Sequence, residues 1–388
     1  MIKRFCLALV VTAVSDSAVA QIPKLGNDTL LDIATWNVEW LGESGYGPTD
    51  ENLQFNNVKT VINQTGFDII ALQEMANTNT FFNLSDALFS TYGSINSTFQ
   101  ATQKMCLLYK KSMFELIPDL SKNILNQYAN SAFATRPPLQ VALRTKQNDR
   151  VDTLYCIVVH MKAHTGSTTE KQDSYNRRKE AAGHLKTYVE QYLAGKKYII
   201  LGDWNDDLNT SLYNNMPTPY GNFLDAGYLF ATKQLTDAGK NSWAFGNKMI
   251  DHIMMAKSMD SLYIPASSKV FDNAGSYITN FSNNTSDHYP VYAYFDWKRL
   301  TTNPKPPSSL GIDNAQTGVT VYPNPANETV YMEGIVDELT IYNLLGQPCY
   351  TEKQPLNPIN ISELPNGIYT IAITVNGNTT VSKMVISR

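Results

Sequence analysis

The sequence predicts two folded parts, an α/β domain over residues 21–300 and a small all-β domain over residues 319–388. The first is predicted because short apolar runs, typical of strands buried on both faces, alternate with segments of helical periodicity. The second is predicted because short alternating segments recur there between turn residues. A chain of 388 residues is long enough for two domains of ordinary size.

Residues 1–20 have the three parts of a secretory signal peptide. A positive start at Lys3-Arg4 is followed by an apolar run at 5–14 and by small residues at 18–20. The apolar run is too short to span a bilayer, which disfavours a membrane anchor. We therefore expect the mature chain to begin at Gln21, outside the cytoplasm.

The composition is ordinary for a globular protein, with 43% hydrophobic and 17% charged residues and a formal net charge of −4. Residues 21–300 carry 25 basic and 27 acidic side chains, which excludes a strongly basic nucleic-acid binder. Beyond residue 20 the cysteines are Cys106, Cys156 and Cys349, an odd number that does not indicate a disulfide framework. Cys106 and Cys156 lie in apolar segments, where we expect buried thiols.

Strand-like and helix-like segments alternate through the first domain. Gly66 ends a helix whose apolar residues begin at Phe55. A second amphipathic helix is predicted over 176–194, with Tyr192 on its apolar face and Arg178 turned outward. The predicted strands are, in order, 31–38, 67–74, 105–109, 139–143, 154–160, 198–201, 248–256 and 289–295.

Polar residues gather where the predicted strands end. Asp203 and Asn205 follow the buried run at 198–201, and strand alternation places them on one side and Trp204 on the other. Each such residue alone has a structural explanation, as a cap, a turn residue or a satisfied buried histidine. Their number in one domain favours a functional site, because ligands bind at strand ends in α/β sheets. The residues are Asn37, Glu74, His160, Asp203, Asn205, Asp251, Asp287 and His288.

Eight motifs follow one another along residues 30–297: TWNVEWLG at 35–42, ALQEM at 71–75, CLLYKK at 106–111, FATRPPL at 133–139, CIVVHMKA at 156–163, LGDWND at 201–206, IDHIMMA at 250–256 and SDHYPVY at 286–292. As an ordered set they resemble the endonuclease/exonuclease/phosphatase superfamily, which has the fold of deoxyribonuclease I. The resemblance implies a four-layer α/β/β/α sandwich, in which two packed sheets are flanked by helices on both outer sides.

The resemblance also implies hydrolysis of phosphate esters assisted by a divalent metal ion. Glu74 would be the principal metal ligand, with Asn37 and Asp287 nearby to complete or relay the site. Carboxylate and amide oxygens suit a hard ion such as Mg²⁺, with Mn²⁺ as the alternative.

Five further residues are implied to handle the phosphate and the protons. Asp203 would activate the attacking water, and Asn205 would hold a phosphate oxygen. His160 and His288 would contact the phosphate or transfer protons. Asp251 would fix the tautomer of His288 by a hydrogen bond.

Arg136 matches a position where nuclease members of the family place a phosphate-binding arginine, whose planar fork suits two non-bridging oxygens. Neighbouring polar residues are expected to be structural, His164 as a loop residue and His252 on the strand face opposite the site. Asp206 and Asp207 are expected to be solvated turn residues or to bind an incidental cation.

These features predict a secreted, metal-dependent phosphodiesterase that acts as an endonuclease on extracellular DNA or RNA, and we expect a monomer. DNA-cutting relatives tend to carry arginines after the Asn and Glu motifs, whereas residues 38–40 and 75–77 contain none. The alternative is therefore a sphingomyelinase-like phospholipid phosphodiesterase, or a phosphatase, on the same fold. A binding or surface protein without catalysis is disfavoured by the full set of motif residues.

A Pro-rich linker is predicted at 301–318, before the all-β domain. The segments VYPNPA at 321–326, LTIYNLLGQ at 339–347, INISELPNGIYTIAI at 359–373 and KMVIS at 383–387 resemble the C-terminal sorting domain of the type IX secretion system. The resemblance implies that the type IX machinery is a partner and that the protein is secreted or held at the cell surface. The strand pattern alone would equally suit an adhesion or carbohydrate-binding sandwich.

Overall fold

The computed structural model describes residues 21–146, 152–296, 320–333, 336–343, 347–375 and 378–388. The predicted signal peptide at 1–20 and the predicted linker at 301–318 lie outside these residues. The chain divides into two compact units, with the boundary between residues 303 and 304.

Both strands and helices contribute to the first unit. The described strands are β1 (Leu31–Leu41), β2 (Ile69–Met75), β3 (Tyr92–Asn96), β4 (Lys104–Lys110), β5 (Phe114–Leu116), β6 (Lys122–Asn123), β7 (Leu139–Thr145), β8 (Thr153–His160), β9 (Lys197–Asp203), β10 (Leu229–Phe230), β11 (Asp251–Met255), β12 (Lys269–Val270) and β13 (Val291–Phe295). The described α-helices are α1 (Glu51–Thr65), α2 (Thr78–Leu88), α3 (Thr168–Tyr192), α4 (Gly221–Leu224), α5 (Lys233–Asp237) and α6 (Phe281–Asn284), and short 3₁₀ turns lie at Pro118–Leu120, Asn126–Tyr128, Lys257–Met259 and Ala274–Ser276.

Each of the two sheets contains one parallel pair among antiparallel neighbours. The first sheet has the order β12-β13-β1-β2-β4-β3, and β1 and β2 are parallel. The second has the order β10-β11-β9-β8-β7-β5, with β6 on β7, and β8 and β9 are parallel. Parallel neighbours require a crossover connection, which α1 provides in the first sheet and α3 in the second. The carboxyl ends of each parallel pair therefore adjoin.

Alternate residues of β1 face two different cores. Leu31 and Ile33 belong to the core shared with the second sheet, which α3 covers on its outer side through Leu185. Ala34 and Trp36 belong to the core that contains residues of α1 and α2. This alternation confirms the expected four-layer α/β/β/α sandwich.

Helix α3 differs from its prediction at both ends. It begins at Thr168, eight residues before the predicted start, because Ser167 and Glu170 form a reciprocal capping box. Tyr192 is 55% exposed and does not join the core. Arg178 is fully buried, so the prediction that it turns outward was wrong. Its guanidinium instead makes an ion pair inside the unit, described below.

The second unit is all-β, as predicted. Its core includes Val330, Leu339, Ile341, Ile371 and Met384. Its strands form a three-stranded sheet, β14-β15-β18, and a four-stranded sheet, β17-β16-β19-β20; they are β14 (Thr320–Tyr322), β15 (Thr329–Glu333), β16 (Glu338–Tyr342), β17 (Pro348–Lys353), β18 (Ile359–Asn360), β19 (Gly367–Val375) and β20 (Asn378–Ile386).

Cys106 and Cys156 are buried free thiols, and Cys349 is an exposed free thiol. Within the described ranges, no helix is both long enough and apolar enough to cross a bilayer.

Candidate active site

The predicted site residues meet where the parallel strands of both sheets end. Asn37 lies near the end of β1, Glu74 is the penultimate residue of β2, and His160 and Asp203 are the last residues of β8 and β9. Asp203 and His160 are also register partners in neighbouring strands. The site therefore lies where the ends of the two sheets adjoin.

Asn37 connects the carboxylates of Glu74 and Asp203, which come from different sheets. Its Nδ2 donates to Glu74 Oε1 at 3.0 Å and to Asp203 Oδ2 at 3.1 Å. Its Oδ1 accepts from the backbone N–H of Glu39 at 3.0 Å. The amide is thus fixed at both ends, and it holds one carboxylate from each sheet at a common point.

The backbone around Glu74 is unusual. The β1–β2 register shifts between Asn37 and Leu41, and Glu39 and Trp40 have φ values of 45° and 52°. Glu74 itself has φ 63°. Left-handed backbone at non-glycine residues costs on the order of 1–3 kcal/mol each and concentrates at functional sites. Here it directs the N–H of Trp40 to Glu74 Oε2 at 3.1 Å.

The two histidines of the site have opposite electrostatic surroundings. Burial, together with the charge of Arg136, lowers the pKa of His160 well below its usual value, so His160 is neutral at pH 7. Burial acts in the same direction on His288, but the carboxylates of Asp251 and Asp203 outweigh it and raise the pKa of His288 well above its usual value. The His288 Nδ1–Asp251 Oδ2 distance is 2.8 Å. These carboxylates therefore favour the protonated form of His288.

Asp203 lies between the two histidines. Its Oδ2 is 3.5 Å from His160 Nε2 and 4.0 Å from His288 Nε2. The side chain of Asn205 donates to the same oxygen at 3.0 Å, and the backbone N–H of Asn205 donates to Oδ1 at 2.8 Å. Burial, with help from the Asp251 charge, raises the pKa of Asp203 to about 7. A carboxylate with this pKa is suited to accept and return a proton near neutral pH.

Sequence reasoning missed two members of the site, Glu39 and Trp243. Glu39 Oε2 accepts from the backbone N–H of Asp287 at 2.8 Å, and Trp243 Nε1 donates to Asp287 Oδ2 at 2.8 Å. Burial and the neighbouring Asp287 charge raise the pKa of Glu39 to about 7. Strand alternation could not have found Glu39, because the backbone leaves regular strand geometry after Asn37. Nothing near Trp243 in the sequence indicates its contact with Asp287.

Arg136 lies beside the site and is partly engaged by protein atoms. Its Nη1 donates to Gln103 Oε1, and its Nη2 donates to the carbonyl of Met161 at 2.9 Å. The same carbonyl accepts from Asn205 Nδ2 at 3.1 Å. Arg136 Nε is buried and has no partner in the described part of the chain. The guanidinium therefore adjoins Asn205 with one donor still free.

The donor set fits a hard divalent cation. Ligand atoms of Glu74, His160 and Asp203 all lie within 4.8 Å of one another, as do those of Asp203, Asp251 and His288. Burial raises the pKa of Glu74, and the charge of Asp287 raises it further. Carboxylates crowded in this way are stabilised by a cation among them, and oxygen donors without a thiolate suit Mg²⁺-type ions.

The residues set aside as structural lie outside this cluster. His164 is in the loop after β8, and His252 is buried with contacts to Thr232 Oγ1 and the carbonyl of Asp206, each at 3.0 Å. Asp206 and Asp207 were expected to be solvated turn residues or to bind an incidental cation, and solvation was wrong, because both are buried. Asp206 Oδ2 accepts from the guanidinium of Arg178 at 2.9 and 3.1 Å. This ion pair explains why the charged groups of Arg178 and Asp206 are both buried.

Comparisons with known proteins agree with both parts of the chain. Residues 34–288 match a family described as Endonuclease/Exonuclease/phosphatase family, and residues 320–387 match one described as Secretion system C-terminal sorting domain. Both matches confirm the resemblances found in the sequence motifs. The sorting domain indicates export to the cell surface or secretion. Among curated proteins, no match to the chain was found.

Solved structures resemble the first unit at low sequence identity. Humanized D. rerio TDP2 is 16% identical, with 69% of this chain and 99% of that chain covered and a TM-score of 0.52. A mannosyl-6-phosphatase of Bacteroides thetaiotaomicron is 15% identical, with 68% and 99% covered and a TM-score of 0.49. The human Nocturnin catalytic domain is 17% identical, with 71% and 99% covered and a TM-score of 0.44. At such identities the TDP2 likeness supports the fold and leaves the substrate open.

Proposed function

Because the chain belongs to the Endonuclease/Exonuclease/phosphatase family, we propose that it is a secreted, divalent-metal-dependent endonuclease that hydrolyses extracellular DNA or RNA. Enzymes of this family are metal-dependent phosphoric ester hydrolases. What we propose in addition is that the ester is a nucleic acid. The observation that carries it is the arrangement of Asp203, a buried carboxylate with a pKa near neutrality, between a neutral and a protonated histidine.

The proposed chemistry follows from the protonation states. Asp203 accepts the proton of the attacking water, since its pKa of about 7 lets it be ionised beforehand and protonated afterwards. The imidazolium of His288 donates a hydrogen bond from Nε2 to a non-bridging phosphate oxygen, and Asp251 stabilises its charge through Nδ1. His160 is neutral, so it donates or accepts a hydrogen bond at Nε2 without adding charge.

Glu74, with Asn37 and Asp287 nearby, would hold the divalent ion, as the resemblance implied. When bound, such an ion supplies positive charge that stabilises the negative charge that develops on the phosphate. Asn37 has a further role of its own, because its Nδ2 keeps Glu74 and Asp203 at a fixed separation. Asn205 is proposed to orient a phosphate oxygen from beside Asp203.

Exposed aromatic side chains beside the acidic residues support a nucleic-acid substrate. The rings of Trp40 and Tyr46 stack with centroids 4.4 Å apart, and Tyr46 is 59% exposed. Trp243, which contacts Asp287, lies against Phe245, which is 61% exposed. Unpaired bases stack on such rings, at about 1–3 kcal/mol per base. This feature favours single-stranded regions and does not require arginines in the loops after Asn37 and Glu74.

Two parts of the chain are proposed to serve export: residues 1–20 as the signal peptide and 319–388 as the sorting domain that binds the type IX secretion machinery. Residues 21–300 are the proposed catalytic domain, and 301–318 the linker between the domains. We propose that the exported enzyme is a monomer.

The test uses the mature chain, residues 21–388, with plasmid DNA, RNA, sphingomyelin and a sugar phosphate, each with Mg²⁺, with Mn²⁺ and with chelator. We expect nicking of the plasmid or internal cleavage of RNA, and no turnover in chelator. Glu74→Gln should be inactive at an unchanged melting temperature, while the exposed control Glu115→Gln keeps full activity. Turnover of sphingomyelin alone would favour the phospholipid alternative, and full activity in chelator would refute the metal-dependent chemistry.

A further inference from the structure

A group of three cationic side chains lies at one side of the site, and none of them takes part in the chemistry proposed above. The group consists of Arg136, Lys162 and Arg177, which we call the Lys162 cluster. Lys162 follows His160 by two residues, a span of at most about 7 Å of chain. Arg177 projects from α3, and Arg136 precedes β7. The cluster stands out because residues 21–300 as a whole are slightly acidic.

Each member has a donor that no protein group accepts. Lys162 contributes its backbone carbonyl to a hydrogen bond, but its half-buried ammonium has no partner in the described residues. Arg136 Nε and Arg177 Nε are buried nitrogens that also lack a partner there. A buried donor without an acceptor costs about 1–3 kcal/mol, and more when it is charged. Two such buried donors, beside a half-buried ammonium, indicate that an anion is the missing acceptor.

The backbone that carries the cluster is fixed from both sides. Arg178 Nη1 donates to the carbonyl of Lys162 at 2.7 Å, and Arg178 is itself held by its ion pair with Asp206. Arg136 Nη2 and Asn205 Nδ2 both donate to the carbonyl of Met161, at 2.9 and 3.1 Å. The cluster therefore begins directly beside Asn205.

Arg136 lies near the carboxylates of Glu74 and Asp203, whereas the negative charge beside Lys162 and Arg177 comes from Asp173. Arg177 Nη2 donates to the carbonyl of Asn130 at 2.5 Å, and its Nη1 is 3.9 Å from the carboxylate of Asp173, which is 62% exposed. A pair this long and this exposed contributes little. In agreement with an uncompensated cation, burial and the charges of Arg136 and Arg177 lower the pKa of Lys162.

We propose that Lys162 and Arg177 bind a second phosphate group of the substrate, the one next to the cleaved phosphate along a nucleic-acid strand. The inference rests on the proposed function, because it assigns the cleaved phosphate to Asp203, Asn205 and the two histidines. It makes the enzyme selective for phosphodiester strands over esters that carry one phosphate, which include sphingomyelin. The donors do not contact a sugar, so the subsite accepts DNA and RNA strands alike.

The test compares one-phosphate and many-phosphate substrates. Lys162→Met, Arg177→Met and the double variant are assayed on bis(p-nitrophenyl) phosphate and on ten-residue single-stranded oligodeoxynucleotides and oligoribonucleotides. We expect KM for the strands to rise about tenfold per variant, with a smaller change in kcat. The ratio of kcat/KM on strands to kcat/KM on the one-phosphate ester should fall accordingly. Lys186→Met, on the same helix and paired with Glu190 at 2.7 Å, is the matched control with no expected effect.

Salt dependence supplies a measurement that does not depend on the active fraction of a variant. Each lost phosphate contact on a single strand should reduce the slope of log KM against log salt by about 0.7. An unchanged ratio or an unchanged slope in Lys162→Met and Arg177→Met would overturn the inference. If the wild-type enzyme cleaves neither strand, the proposed function fails instead, so the two failures are distinguishable.

Discussion

The buried ion pair between Arg178 and Asp206 gives the sharpest prediction about the stability of the first unit. Both side chains are fully buried, and the guanidinium makes three hydrogen bonds, two to Asp206 and one to the carbonyl of Lys162. The change Arg178→Met keeps much of the volume but leaves the Asp206 carboxylate buried without its counter-charge. We expect a loss of about 3–5 kcal/mol in the free energy of unfolding, the range for breaking one partner of a buried pair.

In a unit of this size, 1 kcal/mol corresponds to about 2–4 °C in melting temperature, so the variant should melt roughly 6–20 °C lower. The assay is thermal and urea unfolding of the mature chain, followed by circular dichroism. Lys179→Met, at the exposed neighbouring position, is the control and should melt like the wild type. Arg178→Lys should lie between the two, because an ammonium cannot reproduce the planar fork.

A double variant, Arg178→Met with Asp206→Asn, distinguishes two contributions to the loss of stability: the lost attraction of the ion pair and the cost of leaving the Asp206 charge buried without a partner. Since the amide carries no charge, the double variant should be more stable than Arg178→Met alone. The amide oxygen can still accept from the Leu212 N–H, which contacts Asp206 Oδ1 at 2.7 Å, and the amide NH2 can donate to the Ser211 hydroxyl, which contacts Oδ2 at 2.6 Å. A loss below about 1 kcal/mol in Arg178→Met would refute the reasoning, because surface substitutions commonly cost no more than about 0.5 kcal/mol.

Three further predictions concern catalysis, pH and export. Asp203→Asn and His288→Ala should each lower kcat by about 10²–10⁴-fold, the range for general acid–base groups, whereas His164→Ala should stay near wild type in the same assay; equal losses in all three would contradict the site. Burial and the nearby Asp68 raise the pKa of Asp32 to about 8, from 3.8. Because Asp32 ionises less readily in the folded state, it lowers the free energy of unfolding progressively as pH rises from 3.8 to about 8. Asp32→Asn should therefore melt higher than wild type at pH 8.5 and equally near pH 4; a constant difference across this range would count against the assignment. Removing 301–388 should leave kcat unchanged but stop export from a host with the type IX machinery, and normal export of the truncated chain would contradict the role of that domain.

The central carboxylates of the site were predictable because they depend on local strand geometry. Buried apolar runs ending in Asn37, Glu74, His160 and Asp203 identify strand ends, and two parallel pairs place those ends together. Pairing of Asp251 with His288 came only from the family resemblance, because 37 residues separate them. Periodicity alone contains no information about such a contact.

Residues whose environment depends on tertiary partners could not be placed from the sequence. Helical periodicity assigned Arg178 to the outer face of α3, but its side chain is buried against Asp206, which follows β9 and supplies the counter-charge. The early start of α3 was missed because its first turns are polar. The capping-box pattern of Ser167 and Glu170 was nevertheless present in the sequence.

The pairing of β1 with β13 has a consequence for the order in which the enzyme is made. Leu31 pairs with Phe295, the Trp36 indole donates to the carbonyl of His288, and the Ser286 hydroxyl donates to the carbonyl of Asn37. During translation β1 leaves the ribosome early, whereas the segment carrying His288 is among the last of its unit to be synthesised. A nascent chain therefore holds no complete catalytic centre until nearly all of that unit has been made. If the enzyme has the proposed nuclease activity, unfinished translation products are harmless to the nucleic acids of the cell that makes them.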